Sequence, residues 1–212
     1  MPVDALFPRQ AIVLASALIY WAGVMIQARR VRQRIGRPPN VRPRGPKERL
    51  LWAGWILVVA AWMTLPFVVR GGTANGLVRL IPTLLHPLGL VLGIVLILAG
   101  YAATLWCYAI MGDTWRMGID RGEKTTLVTR GPYRVVRHPI YLFQVVILAG
   151  VILLLPAVLA LLIFFVHLLC VWCKAADEEA YLLTIHGQDY RDYLARTGRL
   201  LPKLFGSAPA PR

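Results

Sequence analysis

A polar and aromatic stretch, residues 127–141, lies between two long apolar segments of the chain. It contains three arginines, a histidine and two tyrosines, and two prolines restrict its backbone. Ionisable and aromatic side chains at the edge of an apolar segment indicate a binding or catalytic site. The structural alternative is a basic interfacial turn anchored by tyrosine, which many membrane proteins contain.

An acidic doublet, Glu178-Glu179, follows the second apolar segment, residues 140–173. That segment is too long for one membrane crossing and long enough for two short ones, and Pro156 near its middle marks the reversal. In such a hairpin the two ends lie close together, so Arg137 and His138 should lie beside the doublet. They would form either an ion-pair clasp that closes the hairpin or one wall of a polar pocket.

The composition is that of a membrane protein. Of the 212 residues, 58% are hydrophobic, against about 45–50% in soluble domains. The net charge of +14 comes from cations that flank apolar runs, which indicates anionic lipid headgroups and not nucleic acid as the partner. Cys107, Cys170 and Cys173 lie inside apolar runs and are expected to be small buried side chains, so no metal site is predicted.

The apolar runs predict an all-α, polytopic integral membrane protein with five transmembrane helices, of which the last two form the hairpin, and with cytosolic C-terminal helices. Residues 1–110 should form a three-helix membrane region with spans at 11–28, 50–69 and 87–110. Its prolines and cations predict that residues 29–49 form an extended basic loop. Residues 111–212 should supply a ligand-binding loop, the hairpin and the C-terminal helices, integrated with the first region into one domain.

The positive charges predict the orientation. Five crossings place 21 of the 24 Lys and Arg residues on one side, which the positive-inside rule assigns to the cytoplasm. The N-terminus is then outside and the C-terminus cytoplasmic, in what we expect to be a bacterial inner membrane.

Smaller elements follow from local patterns. A strand-like piece is expected at residues 125–129, a turn at 71–76, and a short helix at 188–196 after an amphipathic segment that begins beyond residue 174. His86 should begin the third span, His186 should end a helix, and His167 is expected to make a hydrogen bond between helices.

Three motifs together resemble the isoprenylcysteine carboxyl methyltransferase family, to which phospholipid N-methyltransferases and the C-terminal part of membrane sterol reductases are related. They are Leu-Val-Thr-x-Gly-Pro-Tyr-x-x-x-Arg-His-Pro-x-Tyr at 127–141, the acidic doublet, and His-Gly-x-x-Tyr-x-x-Tyr-x-x-Arg at 186–196. The resemblance covers about residues 115–202. One departure is Phe143, where family members often have glycine, which implies different helix packing or different substrate access at this position.

The resemblance implies a membrane methyltransferase that binds S-adenosylmethionine in a cytosol-facing pocket and methylates a lipophilic or lipid-linked acceptor. Oxygen, nitrogen and sulfur acceptors are all compatible with it, and no oligomeric state is indicated. Carried over position by position, it implies catalytic roles for Arg137 and Arg196, the latter at the substrate end or bracing the tail. The implied cofactor-binding residues are Leu127, Val128, Tyr133, His138, Pro139, Tyr141, Glu178 and Glu179. Two alternatives stay open: an NADPH-dependent reductase of the sterol reductase type, and a non-catalytic scaffold that binds anionic lipid.

Overall fold

The structure is a computed structural model that describes residues 6–39, 42–43, 45–69, 76–118 and 126–203. Within these residues the secondary structure is helical, without a β-strand, so the predicted all-α class is confirmed. The helices are α1 (Phe7–Ile35), α2 (Pro46–Val68), α3 (Pro87–Met111), α4 (Pro139–Leu154), α5 (Val158–His186) and α6 (Gln188–Arg196).

Among the described residues, α1, α2, α3 and α5 are each long and apolar enough to cross a membrane. The apolar helix α4 has only 16 residues, which at 1.5 Å per residue is about 24 Å, short of a hydrocarbon core of about 30 Å. Four of the five predicted crossings are therefore supported by length, and the crossing by α4 stays a prediction. The reversal at Pro156 is confirmed, because α4 ends at Leu154 and α5 begins at Val158.

Two predicted boundaries are wrong. The basic segment 29–49 is not an extended loop throughout: α1 continues to Ile35 and α2 begins at Pro46. Arginine and glutamine are good helix formers, and basic residues in the last turn of α1 complement the helix dipole until Gly36, in a left-handed conformation, ends it. Likewise the amphipathic segment beyond residue 174 is not a separate C-terminal helix but continues α5, which runs on to His186 because no glycine or proline interrupts it before Gly187.

Side-chain contacts at both ends of the helix bundle hold the ends of the helices together. At one end of the bundle the Arg9 guanidinium donates to the carbonyls of Leu153 and Leu154, both at 3.3 Å, and to that of His86 at 3.0 Å. This joins the start of α1 to the end of α4 and the start of α3. At the other end, which we call the site end, Lys47 contacts Asp177 at 2.5 Å and so joins the start of α2 to the polar part of α5. Consecutive helices therefore run in alternating directions.

Close packing of α3 against α4 depends on small residues that face each other. A Cβ atom on Gly150 would lie 2.7 Å from the carbonyl oxygen of Gly93, and one on Gly100 would lie 3.1 Å from that of Phe143. The glycine opposite Phe143 is thus supplied by α3, so the two helices still approach closely at this departure from the family pattern.

The remaining local predictions have mixed outcomes. Helix α6 and the helix end at His186 are confirmed, as is the start of α3, where the ring of His86 caps the helix by accepting from the Leu88 amide at 3.1 Å. Residues 126–129 are irregular and not strand-like; residue 125 and most of the predicted turn, 71–75, lie outside the described residues. His167 is buried, but neither ring nitrogen has a hydrogen-bond partner in the described part of the chain, so the expected interhelical bond is wrong.

Candidate active site

Three separate segments meet at the site end. Residues Gly131–Arg134 form a short 3₁₀ turn, and Pro139 begins α4 five residues after Arg134. Between them the backbone pairs with the segment that follows α6, through Arg137 N–H to the Gly198 carbonyl at 2.9 Å and His138 N–H to the Arg199 carbonyl at 3.1 Å. This pairing holds the Arg137-His138 dipeptide against the acidic doublet of α5.

The Glu179 carboxylate is surrounded by cationic groups of the protein itself. Its Oε1 accepts from Arg137 Nε at 2.8 Å and its Oε2 from Arg199 Nη2 at 2.7 Å, while His138 Nε2 lies 3.4 Å away. Arg137 also donates to the Thr197 carbonyl, and the Arg199 guanidinium lies 4.6 Å from the centre of the Trp172 ring. Because Glu179 is only 5% exposed, this cluster is a buried clasp between the start of α4, α5 and the tail.

The neighbouring Glu178 has different surroundings. Its Oε1 accepts from the Tyr141 hydroxyl at 2.6 Å, and its Oε2 lies 3.4 Å from His138 Nδ1. The His138 and Tyr141 rings are stacked, with centroids 5.6 Å apart. Burial lowers the pKa of His138, but the two carboxylates of the doublet, each 3.4 Å from a ring nitrogen, outweigh that effect, so the pKa is raised on balance.

A cavity of about 750 Å³ opens beside Glu178, within the range of roughly 300–1,000 Å³ that small-molecule sites occupy. Its polar part is lined by Arg42, Glu48, His138, Tyr141, Lys174 and Glu178. Its apolar part, lined by Val24, Leu51, Trp52, Trp55 and Val171, lies further along α1, α2 and α5, toward the apolar middle of these helices. One continuous space therefore connects charged side chains to the membrane-facing part of the bundle.

Most of the residues predicted from the sequence are brought together here. Arg137 and all of the predicted cofactor-binding residues except Glu179 line the cavity: Leu127, Val128, Tyr133, His138, Pro139, Tyr141 and Glu178. Glu179 lies behind this wall in the clasp described above. Arg196 is exposed at the last turn of α6 and is not among the cavity-lining residues, so the structure does not bring it to the site. Its role at the substrate end stays a prediction.

Sequence reasoning missed several cavity residues. Arg42 comes from the connection between α1 and α2, and Glu48 from the first turn of α2. This part of the chain is tied to the site by the Lys47–Asp177 ion pair and by a hydrogen bond from the Met117 amide to the Pro39 carbonyl at 3.0 Å. A basic, proline-rich segment gives no local signal of such a contact. Arg199 was also missed, because it lies beyond the last residue of the motif.

The third motif did contain two further lining residues. Tyr190 and Tyr193 both line the cavity and are buried. The Tyr193 hydroxyl donates to the Tyr133 carbonyl at 2.6 Å, while the buried Tyr190 hydroxyl has no partner among the described residues. Their spacing in the motif placed both on one face of α6, which was the signal available. The described residues include no group of three or more His, Cys, Asp or Glu side chains that could hold a metal ion.

Four described helices are long and apolar enough to cross a membrane, and a charged pocket lies at one end of the bundle, an arrangement typical of membrane proteins with a functional site. Residues 88–189, from the start of α3 to the start of α6, match the model of the phospholipid methyltransferase family. This part of the chain is similar to that family, and the resemblance seen in the motifs is confirmed by the match.

A curated relative is similar over a shorter segment. It is the nickel-cobalt-cadmium resistance protein NccN of Alcaligenes xylosoxydans xylosoxydans, 29% identical over 97 residues, which are 45% of this chain and 46% of that protein. The chain thus spans about half the length of this relative.

Proposed function

We propose that the protein transfers a methyl group from S-adenosylmethionine to a lipophilic or lipid-linked acceptor. The observation that carries the proposal is the single cavity that joins the Glu178–His138–Tyr141 group to an apolar space between α1, α2 and α5. A charged, water-soluble cofactor fits the first part and a membrane-dissolved acceptor fits the second, and the family match supports methyl transfer between them.

The residues present fit such a cofactor. The Tyr190 hydroxyl is buried, lines the cavity and lacks a protein partner in the described residues, so it offers a hydrogen bond to a ligand. Burial raises the pKa of Tyr190, which keeps the phenol protonated and therefore a donor. Leu127 and Val128 would hold the adenine, with Tyr133, Pro139 and Tyr141 as its aromatic and apolar surroundings.

When bound, S-adenosylmethionine supplies an electrophilic methyl group on a positively charged sulfur. Glu178, with one oxygen bonded to Tyr141 and the other near His138, presents a fixed negative charge that attracts such a cation. The apolar walls exclude water and orient the acceptor along the cavity, so that methyl transfer needs mainly positioning. We assign Glu179 to holding Arg137 and the tail in place, which makes it a positioning residue for this pocket.

We also propose that α4 crosses the membrane as a short leg, which gives five crossings with the site facing the cytoplasm and the N-terminus outside. The alternating helix directions support this arrangement, because the carbonyls at the end of α4 and the start of α1 meet at the Arg9 side chain. Since Arg9 is itself buried there, it is a structural cation, and the exposed basic residues concentrate at the site end, as a cytoplasmic face requires.

The test uses the full chain in detergent. Isothermal titration with S-adenosylhomocysteine should show binding that is weakened at least tenfold in Tyr190→Phe and unchanged in Asp189→Asn, an exposed position outside the cavity lining. Incubation with methyl-labelled cofactor and a membrane lipid extract should then give a labelled lipophilic product by mass spectrometry. Binding of NADPH in place of S-adenosylhomocysteine would refute methyl transfer in favour of a reductase, and binding of neither would favour a scaffold.

A further inference from the structure

A second, much smaller cavity of about 10 Å³ adjoins the large one in the apolar part of the bundle. We call it the inner chamber; its walls include Tyr20, Trp21, Trp55, Gln144 and His167. Tyr20, Trp55 and Gln144 also line the large cavity, so these side chains form the boundary between the two spaces.

The inner chamber collects buried polar atoms that lack partners. Both ring nitrogens of His167, the Gln144 Oε1 and the Trp21 Nε1 have no hydrogen-bond partner in the described part of the chain, and His167 is 2% exposed. Gln144 is fixed from its other end, since its Nε2 donates to the Tyr20 hydroxyl at 2.5 Å. Unpaired polar groups inside an apolar bundle are costly, and several around one space indicate a guest that bonds to them.

The volume and the donor set restrict the guest. A space of about 10 Å³ admits roughly one water-sized group, which excludes a phosphate or a trimethylammonium headgroup. The Trp21 N–H can only donate, the Gln144 Oε1 can only accept, and a neutral His167 ring does one of each. A hydroxyl group, which donates once and accepts twice, can bond to three of these four atoms. A carbonyl oxygen can only accept and would leave Gln144 unsatisfied.

We propose that the inner chamber binds a neutral hydroxyl group of the lipophilic acceptor while the apolar body of that molecule fills the large cavity. This inference rests on the proposed function and specifies its substrate class: a lipophilic alcohol or phenol. Gln144 lies three residues from Tyr141 on α4 and His167 lies eleven residues from Glu178 on α5. At 1.5 Å per residue the bound hydroxyl is therefore between about 5 and 16 Å, along the helix axes, from the Glu178–Tyr141 pair.

The experiment measures the NMR signals of the His167 ring. The chain contains four histidines, so ¹⁵N-histidine labelling of the full protein in phosphatidylcholine nanodiscs gives four pairs of ring ¹⁵N signals by NMR, one pair for each residue. 1-Decanol and n-decane, which differ only in the hydroxyl group, serve as the probes. His167→Phe assigns the signal; if that variant does not fold, His86→Asn and His186→Asn assign it by elimination, and S-adenosylhomocysteine marks His138.

We expect 1-decanol to shift the His167 signal with a half-saturating concentration at least tenfold below that of any effect of n-decane, about one hydrogen bond in energy. Equal responses to the two probes, or none, would overturn the proposal. So would a His167 signal that is already hydrogen-bonded and unaffected by 1-decanol, because the chamber would then hold water only. The outcome is separable from the proposed function: S-adenosylhomocysteine reports at His138 whether or not 1-decanol reports at His167.

Discussion

Glu178 and Glu179 are adjacent and chemically identical, yet their surroundings predict that the same substitution affects a different property at each position. Glu179 is enclosed by Arg137, Arg199 and His138, away from the cavity, whereas Glu178 lines the cavity beside Tyr141. Replacing each in turn by glutamine removes one negative charge and keeps the size of the side chain. We expect Glu179→Gln to lower stability and Glu178→Gln to lower ligand affinity.

The loss of stability expected for Glu179→Gln follows from the burial of its ion pair with Arg137. The Arg137 side chain is 10% exposed and that of Glu179 7%, and removing one partner of a buried ion pair costs about 3–5 kcal/mol. Glutamine retains an acceptor oxygen, so the lower value of about 3 kcal/mol applies. At roughly 2–4 °C for each kcal/mol in a chain of this size, the melting temperature should fall by about 6–12 °C. Glu178→Gln should lower it by less than half as much, because Tyr141 can still donate to the amide oxygen.

The loss of affinity expected for Glu178→Gln depends on the charge of the ligand. The sulfur of S-adenosylmethionine is cationic and that of S-adenosylhomocysteine is neutral, so Glu178→Gln should weaken binding of the former about tenfold more than binding of the latter, or about 1.4 kcal/mol. Thermal unfolding and isothermal titration in the same detergent measure both quantities. If Glu179→Gln abolished binding without lowering the melting temperature, and Glu178→Gln did the reverse, the assignment of the two carboxylates would be refuted.

Three further predictions test other parts of the structure. The pKa of His138 is higher in the folded protein than its value of about 6.5 in the unfolded chain, so its protonated form stabilises the fold fully at pH values below 6.5. The free energy of unfolding should therefore fall as pH rises through the folded pKa. Melting curves across neutral pH should show this fall, and His138→Gln should reduce the pH dependence. Gly150→Ala should destabilise the protein by about 1–3 kcal/mol, since a Cβ there would meet the α3 backbone at 2.7 Å. Gly23→Ala, with open space around it, should not lower the melting temperature. Tyr190→Phe should leave the melting temperature unchanged or raise it, because it removes an unpaired buried hydroxyl; a large destabilisation would contradict the assignment of that hydroxyl to a ligand.

The sequence was sufficient for the contact that matters most. The length of the apolar segment 140–173 and the position of Pro156 required a reversal, and a reversal brings its two ends together whatever the details of packing. Arg137 and His138 therefore had to lie near the acidic doublet, as they do at 2.8 and 3.4 Å. Predictions of this kind depend on chain geometry and succeed without knowledge of side-chain conformations.

The features of the site that the sequence did not predict depend on long-range contacts or on weak local signals. Nothing in residues 29–49 indicates that Arg42 and Glu48 reach the cavity, because that contact is set by how α2 packs on α5 and by the Lys47–Asp177 pair. Which carboxylate of the doublet faces the cavity is set by a rotation of about 100° between successive helical residues. Only the position of Arg199 in the tail, itself unpredicted, shows that Glu179 is the one turned away from the cavity.

The segment that matches the family and the segments that line the apolar part of the cavity are different parts of the chain. The matched residues 88–189 supply the Glu178–His138–Tyr141 group. The walls around the apolar part come largely from α1 and α2, outside the match, through side chains such as Val24, Trp52 and Trp55. Under the proposed function, the matched segment holds the cofactor, and changes in α1 and α2 would alter the shape of the acceptor space without changing that segment. The match to the phospholipid methyltransferase family therefore bears on the proposed methyl transfer more directly than on the proposed acceptor, whose space is formed largely by α1 and α2.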